Sequence, residues 1–163
     1  MFVKVKVKLF LFLSLFTIFS CRSSPENSFK NLTSAFINWY FKYHPVESTR
    51  FNLNKVHGRY KLYEISELEE YFADISRFMI ELSQIDPTKL TVESRIDYNI
   101  LLFNLERMKY SFESIRSWEW NPVWTVEELF NGIYILSERL SFAMEDRVES
   151  ITKRLEKIPR ILN

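Results

Sequence analysis

The chain of 163 residues contains very little glycine, cysteine or histidine. Two glycines exclude a glycine-rich phosphate-binding loop and argue against a β-rich fold, which needs many tight turns. Cys21 is the one cysteine, so no disulfide can form within the chain. His44 and His57 lie in separate segments, and no His-Glu-x-x-His segment is present. A zinc site, which needs three or four converging ligands, is therefore not predicted in this chain.

An excess of charge of one sign is also lacking. The 22 basic and 21 acidic residues give a formal net charge of +1 and are interspersed. A nucleic-acid partner is not predicted, because such proteins present a basic face. No catalytic residue is predicted either: the serines have no matched histidine, and the carboxylate pairs complement helix dipoles at predicted helix starts. These pairs are Glu69–Glu70, Glu127–Glu128 and Glu145–Asp146.

The first residues have the composition of an export signal. Lys4, Lys6 and Lys8 form a basic start, a short and almost wholly apolar stretch follows, and the small residue Ser20 precedes Cys21. This order is typical of a bacterial lipoprotein signal peptide. The apolar stretch is shorter than the roughly 20 residues that a membrane-spanning helix needs.

We therefore expect residues 1–20 to be a cleaved signal peptide and Cys21 to be the site of lipid attachment. Residues 21–28 are polar and predict a flexible tether. Membrane lipid is then a partner through the acylated Cys21, and the expected location is the bacterial cell envelope, facing the periplasm or the exterior. The alternatives are a plain secretory leader with an incidental cysteine and an uncleaved anchor.

Apolar periodicity over residues 29–163 predicts an all-α domain of four to five amphipathic helices in an irregular antiparallel bundle. Ser66 and Glu69 form a predicted capping box. Asn121 is a predicted cap before Pro122, and Thr125 with Glu128 offers a second possible start of the same helix. The expected helices are Phe29–Tyr43, Ser66–Gln84, Thr91–Arg116, one that begins at Asn121 and a last one that begins at Glu145. The second helix is expected to have an apolar face from Leu68 to Leu82. The helix from Asn121 is expected to face inward with Leu129, Ile133, Leu136 and Leu140.

Two of these helices carry further expectations. The helix Thr91–Arg116 has a wide apolar stripe that includes Ile100 and Phe103, so we expect it to be buried on two sides. The last helix is expected to face inward with Val148, Ile151, Leu155 and Ile158. After it, Ile158, Ile161 and Leu162 are expected to await a partner surface, so the domain is expected to be incomplete at its carboxy end.

The aromatic cluster Trp118, Trp120 and Trp124 around Asn121 is the most distinctive local feature. One interpretation is a stacking or peptide-binding wall. The other is a structural corner, in which the indole rings fix a helix–helix connection to the core. We favour the structural corner, because the cluster lies between two predicted helices.

Five segments occur in a fixed order along the chain: Tyr43–Thr49, the helix from Ser66 to Asp86, Leu90 with Glu93–Tyr98, Trp118 with Asn121 and Pro122, and Arg154–Pro159. Together they resemble domain-of-unknown-function family 885, bacterial proteins often exported as lipoproteins. Tyr43–Thr49 is similar to the family's His-Pro-Glu-x-Ala-Thr segment, and the segment from Leu90 to its Leu-x-x-Glu-x-Arg-Leu-Asp helix. The segment from Trp118 is similar to its Trp-x-x-Asn-Pro corner, and Arg154–Pro159 to its Arg-Leu-x-x-Leu-Pro signature.

The resemblance implies a helical metallopeptidase-like fold of which this chain matches the amino-terminal part. Members of the family resemble zinc-dependent peptidases, and zinc is implied by a His-Glu…Pro-Gly-His segment that this sequence does not contain. The chain is therefore expected to be a non-catalytic helical scaffold whose missing carboxy-terminal half supplies the chemistry. The alternatives are a stand-alone envelope lipoprotein that binds a peptide or protein partner, and one chain of a two-chain enzyme.

Overall fold

A computed structural model describes residues 24–53, 58–60, 65–138 and 142–162. Every regular element within these ranges is helical and none is a β-strand, which confirms the predicted all-α class. The five longest helices of the described chain agree with the expected four to five: α1 (Pro25–Tyr43), α3 (Ile65–Ser83), α4 (Val92–Tyr110), α6 (Pro122–Glu138) and α7 (Met144–Leu155). Short helices follow α1, precede α6 and follow α7: α2 (Pro45–Arg50), α5 (Ser117–Trp120) and α8 (Ile158–Leu162).

Helix α1 begins earlier than the sequence predicted. The Ser24 hydroxyl accepts a hydrogen bond from the Asn27 amide at 3.2 Å, and Pro25 occupies the first turn. Both are favourable at a helix start. The predicted tether 21–28 is therefore wrong over residues 25–28, which are helical.

This first turn is also tied to the start of α4. The Glu26 carboxylate accepts a hydrogen bond from the Ser94 hydroxyl at 2.6 Å and one from the Thr91 amide at 3.2 Å. The Thr91 hydroxyl in turn accepts from the Ser94 amide at 3.2 Å, which caps α4 at the predicted position. A single carboxylate thus joins the starts of two helices.

The main core lies between α1, α3 and α4. The apolar face predicted for α3 is confirmed, since Ile75, Phe78 and Leu82 are fully buried. Trp39 of α1 packs on this face, with its indole ring centroid 5.0 Å from Tyr71 and 5.3 Å from Phe78. The predicted capping box of α3 involves the side chain of Ser66, which lies outside the described residues.

Helix α4 is not buried on two sides. Leu101 and Leu105 are buried in the main core, whereas Ile100 is 55% exposed and Phe103 is 65% exposed. The reason is that α4 lies at the edge of the bundle, where α1 and α3 cover one face. A π-helical turn, Ser111–Ile115, follows α4 and reaches the predicted end.

A smaller cluster joins α2, α6 and α8. Val46, Tyr60 and Leu129 are buried in it, and Ile158 and Ile161 pack against them. Ile158 and Ile161, which were expected to await a partner surface, are half-buried against this cluster, to which α2 and α6 contribute. Leu162 is 60% exposed. Of the face predicted for α6, Leu129 and Leu136 are buried and Ile133 is half-buried, while Leu140 lies outside the described residues.

The face predicted for α7 is turned inward only in part: Ile151 is half-buried and Ile158 packs against the smaller cluster. Val148 is 54% exposed and Leu155 is 51% exposed, whereas Arg154 is fully buried. The Arg154 guanidinium donates hydrogen bonds to the Gly132 carbonyl, to the Arg59 carbonyl at 3.2 Å and to the Thr49 hydroxyl of α2. These buried acceptors outweigh the apolar pattern, and burial lowers the pKa of Arg154 to about 10.

Candidate functional site

A cleft of about 570 Å³ lies where the end of α1 and the start of α2 meet the end of α4 and the α5–α6 corner. Its size is within the range of sites that take small molecules or short peptide segments. Aromatic rings supply most of its floor and one wall, and charged side chains lie among them. The lining residues are Phe36, Tyr40, His44, Glu47, Leu68, Tyr71, Asn104, Arg107, Met108, Ser111, Phe112, Ser117, Trp118, Trp124 and Glu128.

His44 contributes to this cleft from the junction of α1 and α2. Its backbone amide donates to the Tyr40 carbonyl at 2.9 Å and ends α1, as predicted, and Pro45 then begins α2. The imidazole stacks on the Tyr40 ring at a centroid distance of 4.2 Å, and Nε2 lies 3.2 Å from the Tyr71 hydroxyl. His44 is thus held in place by two aromatic neighbours. His57 lies outside the described residues.

Two aromatic rings that line the cleft belong to a stack of three. Phe72 and Phe112 are parallel, with centroids 4.8 Å apart, and Trp118 lies parallel to Phe112 at 5.6 Å. Phe112 and Trp118 line the cleft, as does Trp124 at the start of α6. The turn after α4, α5 and α6 therefore each contribute an aromatic ring to the cleft.

The indole rings of the tryptophan cluster are not buried in the core, which the structural-corner interpretation expected of them. Trp118 is 36% exposed, Trp120 is 63% exposed and Trp124 is 51% exposed. At Arg116, whose φ of 51° is left-handed, the chain turns from the end of the π-helical turn into α5. Trp118 and Trp124 line the cleft.

Trp120 and Asn121 have a structural role at this corner and do not line the cleft. The Trp120 indole Nε1 donates to the Ile115 carbonyl at 2.9 Å and closes the turn after α4. The Asn121 Oδ1 accepts from the Val123 amide at 3.1 Å. This bond confirms the predicted cap of α6.

The four tryptophans differ in whether the indole N–H is already used. Trp39 donates to the Asp74 carboxylate at 2.8 Å, and Trp120 donates to a carbonyl as described. Within the described ranges, Trp118 and Trp124 donate to no protein acceptor. The two indoles that line the cleft are thus the two whose donors are available to a ligand or to solvent.

Charged groups of both signs lie in the cleft. Glu47 of α2 and Glu128 of α6 come from two helices that pack together, whereas Arg107 comes from α4, which packs on α1 and α3. Tyr40 lies among them: burial raises the pKa of its hydroxyl, Glu47 adds to the rise and Arg107 opposes it. The cleft therefore presents an acidic side, a cationic side and an aromatic floor.

The sequence did not indicate Glu47, Arg107 or Glu128 as site residues. Glu47 lies within the His-Pro segment, which is the one local signal available for it. The sequence accounts for Glu128 as a member of the pair Glu127–Glu128 at a predicted helix start, and Arg107 has the spacing of an ordinary exposed helix residue. They become part of a site when α2, α4 and α6 come together.

No residues of the cleft fit a metal ion. In the part of the chain that the structure describes, no three or more histidine, cysteine, aspartate or glutamate side chains are grouped closely enough to bind one. His44 is the single imidazole in the cleft, and its Nε2 already contacts Tyr71. The cleft can bind and orient a ligand through stacking, hydrogen bonds and charge.

No described helix is long and apolar enough to cross a membrane.

No protein-family model, curated protein or solved structure matches the chain. The resemblance to family 885 accordingly remains a prediction from the five segments. Two of these segments, the His-Pro segment and the tryptophan corner, contribute His44 and Trp118 to the same cleft. A third, which contains Arg154, lies against the His-Pro segment.

Proposed function

We propose that this chain is the non-catalytic helical scaffold of a zinc-peptidase-like envelope lipoprotein similar to family 885, and that its aromatic cleft binds a peptide segment. The observation that supports the proposal is that His44 and Trp118, from two of the five resembling segments, line one cleft. Cys21 anchors the chain to the membrane by its lipid. Any hydrolytic chemistry lies outside these residues.

A peptide suits the composition of the cleft. Stacked rings such as Phe112 and Trp118 offer a surface for apolar side chains, which bury a large area against aromatic groups. The indole donors of Trp118 and Trp124 suit peptide carbonyl oxygens, since neither is used inside the described protein. Both kinds of group are needed to hold an extended chain.

A second function, a stand-alone envelope lipoprotein that binds a peptide or protein partner, is favoured by a different observation. Ile158 and Ile161 are half-buried against Val46, Tyr60 and Leu129, so part of the apolar surface of α8 is already packed within the described chain. The two functions share the cleft and differ in whether a peptidase half acts on the bound segment.

Calorimetric titration with a short unblocked peptide tests the cleft. The protein is the full chain, expressed with its leader and purified from membranes in detergent, and the probe is Ala-Phe-Ala-Leu. We expect Trp124→Ala to weaken binding about tenfold or more, because central aromatic anchors carry much of the affinity of such sites. Phe130→Ala is the control, since Phe130 is an exposed aromatic residue of the same helix that lies outside the cleft.

Equal affinities of the two variants would contradict the proposed site. The same preparation tests the non-catalytic part of the proposal. We expect no hydrolysis of the peptide, even with zinc added. Metal-dependent turnover that a chelator abolishes would show that the chain is itself an enzyme.

A further inference from the structure

Arg107 differs from the other surface arginines near the cleft. Arg50 lies 3.2 Å from the Glu47 carboxylate, and Arg116 is paired with Glu119. The Arg107 guanidinium has no ion pair and no hydrogen bond among the described residues, although it lines a cleft that contains two carboxylates. Among the described residues that line the cleft, Arg107 is therefore the one with a guanidinium whose N–H donors are available to a ligand.

The residues around Arg107 form one polar strip of α4. Asn104 and Arg107 of α4 and Ser111 of the following turn are spaced by three and four residues and all line the cleft, so they share a face, next to the apolar Met108. A guanidinium binds a carboxylate through two parallel N–H···O bonds, which gives both affinity and orientation. A carboxylate is thus the ligand group that this strip recognises best.

The acidic side of the cleft restricts the ligand further. A simple anion at Arg107 would also lie in a cleft lined by two carboxylates, Glu128 and Glu47, the second of which is already paired with Arg50 at 3.2 Å. A ligand with an amino group at its other end would instead place a positive charge near these carboxylates. The charge arrangement favours a dipolar ligand over an anion or a cation.

Resting on the proposed function, we infer that the cleft binds short peptides whose ends are both free, with the terminal carboxylate at Arg107 and the amino end on the side of Glu47 and Glu128. The aromatic floor takes an apolar side chain between them. The ligand class is therefore a short product-like peptide, and not an internal loop of a folded protein.

Titration with blocked peptides tests this inference. The probes are Ala-Phe-Ala-Leu, its carboxy-terminal amide and its amino-terminal acetyl derivative, each added to the full chain in detergent. We expect amidation to weaken binding about tenfold or more, because a hydrogen-bonded charged pair is lost. We expect acetylation to weaken it by a smaller factor, since Glu47 is shared with Arg50.

Variants then assign the carboxylate to its partner. In Arg107→Gln the free and amidated peptides are expected to bind equally, and Arg107→Lys is expected to keep part of the preference because it retains the charge. Arg95→Gln is the matched control, an exposed arginine of α4 that does not line the cleft. It is expected to behave like the unmodified protein.

The outcomes separate this inference from the proposed function. Equal binding of the free and amidated peptides, with Trp124→Ala still weakening both, would overturn carboxylate recognition and leave the cleft as the site. A preference for the free carboxylate that survives in Arg107→Gln would overturn the role of Arg107. Binding of none of the peptides would overturn both proposals.

Discussion

The Arg154 guanidinium donates a 2.7 Å hydrogen bond to the hydroxyl of Thr49, so helix α7 is bonded directly to helix α2. The Thr49 hydroxyl in turn donates to the Pro45 carbonyl at 2.9 Å, next to His44. The position of the cleft wall that carries His44 and Glu47 therefore depends on a buried cation far away in the sequence.

Replacement of Arg154 is expected to destabilise the fold. In Arg154→Met the carbonyls of Arg59 and Gly132 and the Thr49 hydroxyl lose their donor, and each buried unsatisfied group costs about 1–3 kcal/mol. We expect the free energy of unfolding to fall by at least about 2 kcal/mol, measured by denaturant titration. Arg95→Met, on the exposed surface, is the control and is expected to stay within about 0.5 kcal/mol. Equal stability of the two variants would contradict the bridging role.

Gly132 is expected to tolerate no side chain. A Cβ at this position would lie 2.7 Å from the Tyr60 hydroxyl oxygen and 2.8 Å from Cζ. The ring cannot move away freely, because Tyr60 is buried and its hydroxyl donates to the Leu129 carbonyl at 2.6 Å. We expect Gly132→Ala to lower the free energy of unfolding by about 1–3 kcal/mol.

A double-mutant cycle tests the cause of this loss. In a Tyr60→Ala background the added methyl group has space, so Gly132→Ala is expected to cost much less there. The same cost in both backgrounds would show that the Tyr60 ring is not the obstacle.

Glu26 is expected to contribute stability that depends on pH. The Ser94 hydroxyl, followed by the Thr91 amide, lowers the pKa of Glu26 below 4.5. Because the pKa of Glu26 is lower in the folded state, the unfolded chain binds more protons as the pH falls. The stability that Glu26 contributes is therefore fully present above pH 4.5 and is lost as the pH falls through the pKa of Glu26 in the folded protein.

Thermal unfolding of Glu26→Gln between about pH 6 and about pH 3 checks this dependence. We expect the variant to unfold at a lower temperature than the unmodified protein above pH 4.5, and the difference to shrink on acidification. Glu93→Gln is the control, because Glu93 is exposed and makes no side-chain hydrogen bond among the described residues. A constant difference at every pH would contradict the assignment.

Lipid attachment at Cys21 is tested by intact mass. When the full chain is expressed in a bacterium, we expect a species that lacks residues 1–20 and carries acyl chains, because the thiol is the group that is acylated. Cys21→Ser is expected to carry no acyl mass and to retain residues 1–20. A cleaved species without lipid would favour a plain secretory leader.

Helical periodicity predicted those parts of the fold in which apolar side chains alone decide burial. Ile75, Phe78 and Leu82 of α3 are buried as expected, because this helix packs into the main core between α1 and α4. Periodicity failed for α7, where Leu155 is exposed and Arg154 is buried. The acceptors that hold Arg154 come from other elements, so no local pattern contains them.

The candidate site was predicted in part. The cluster around Trp118 and Trp124 is visible in the sequence, but its exposure depends on the left-handed turn at Arg116, which no nearby glycine or proline signals. Arg107 and Glu128 were not predicted, since they form a site through the packing of helices distant in sequence.

The most direct test of peptide binding in the cleft is a fluorine NMR titration of the full chain labelled with 5-fluorotryptophan. The chain has four tryptophans and hence four signals, assigned by single substitutions to phenylalanine. On addition of Ala-Phe-Ala-Leu we expect the signals of Trp118 and Trp124 to shift together, while those of Trp39 and Trp120 stay unchanged. Unchanged signals from Trp118 and Trp124 at saturating peptide would contradict the proposed function.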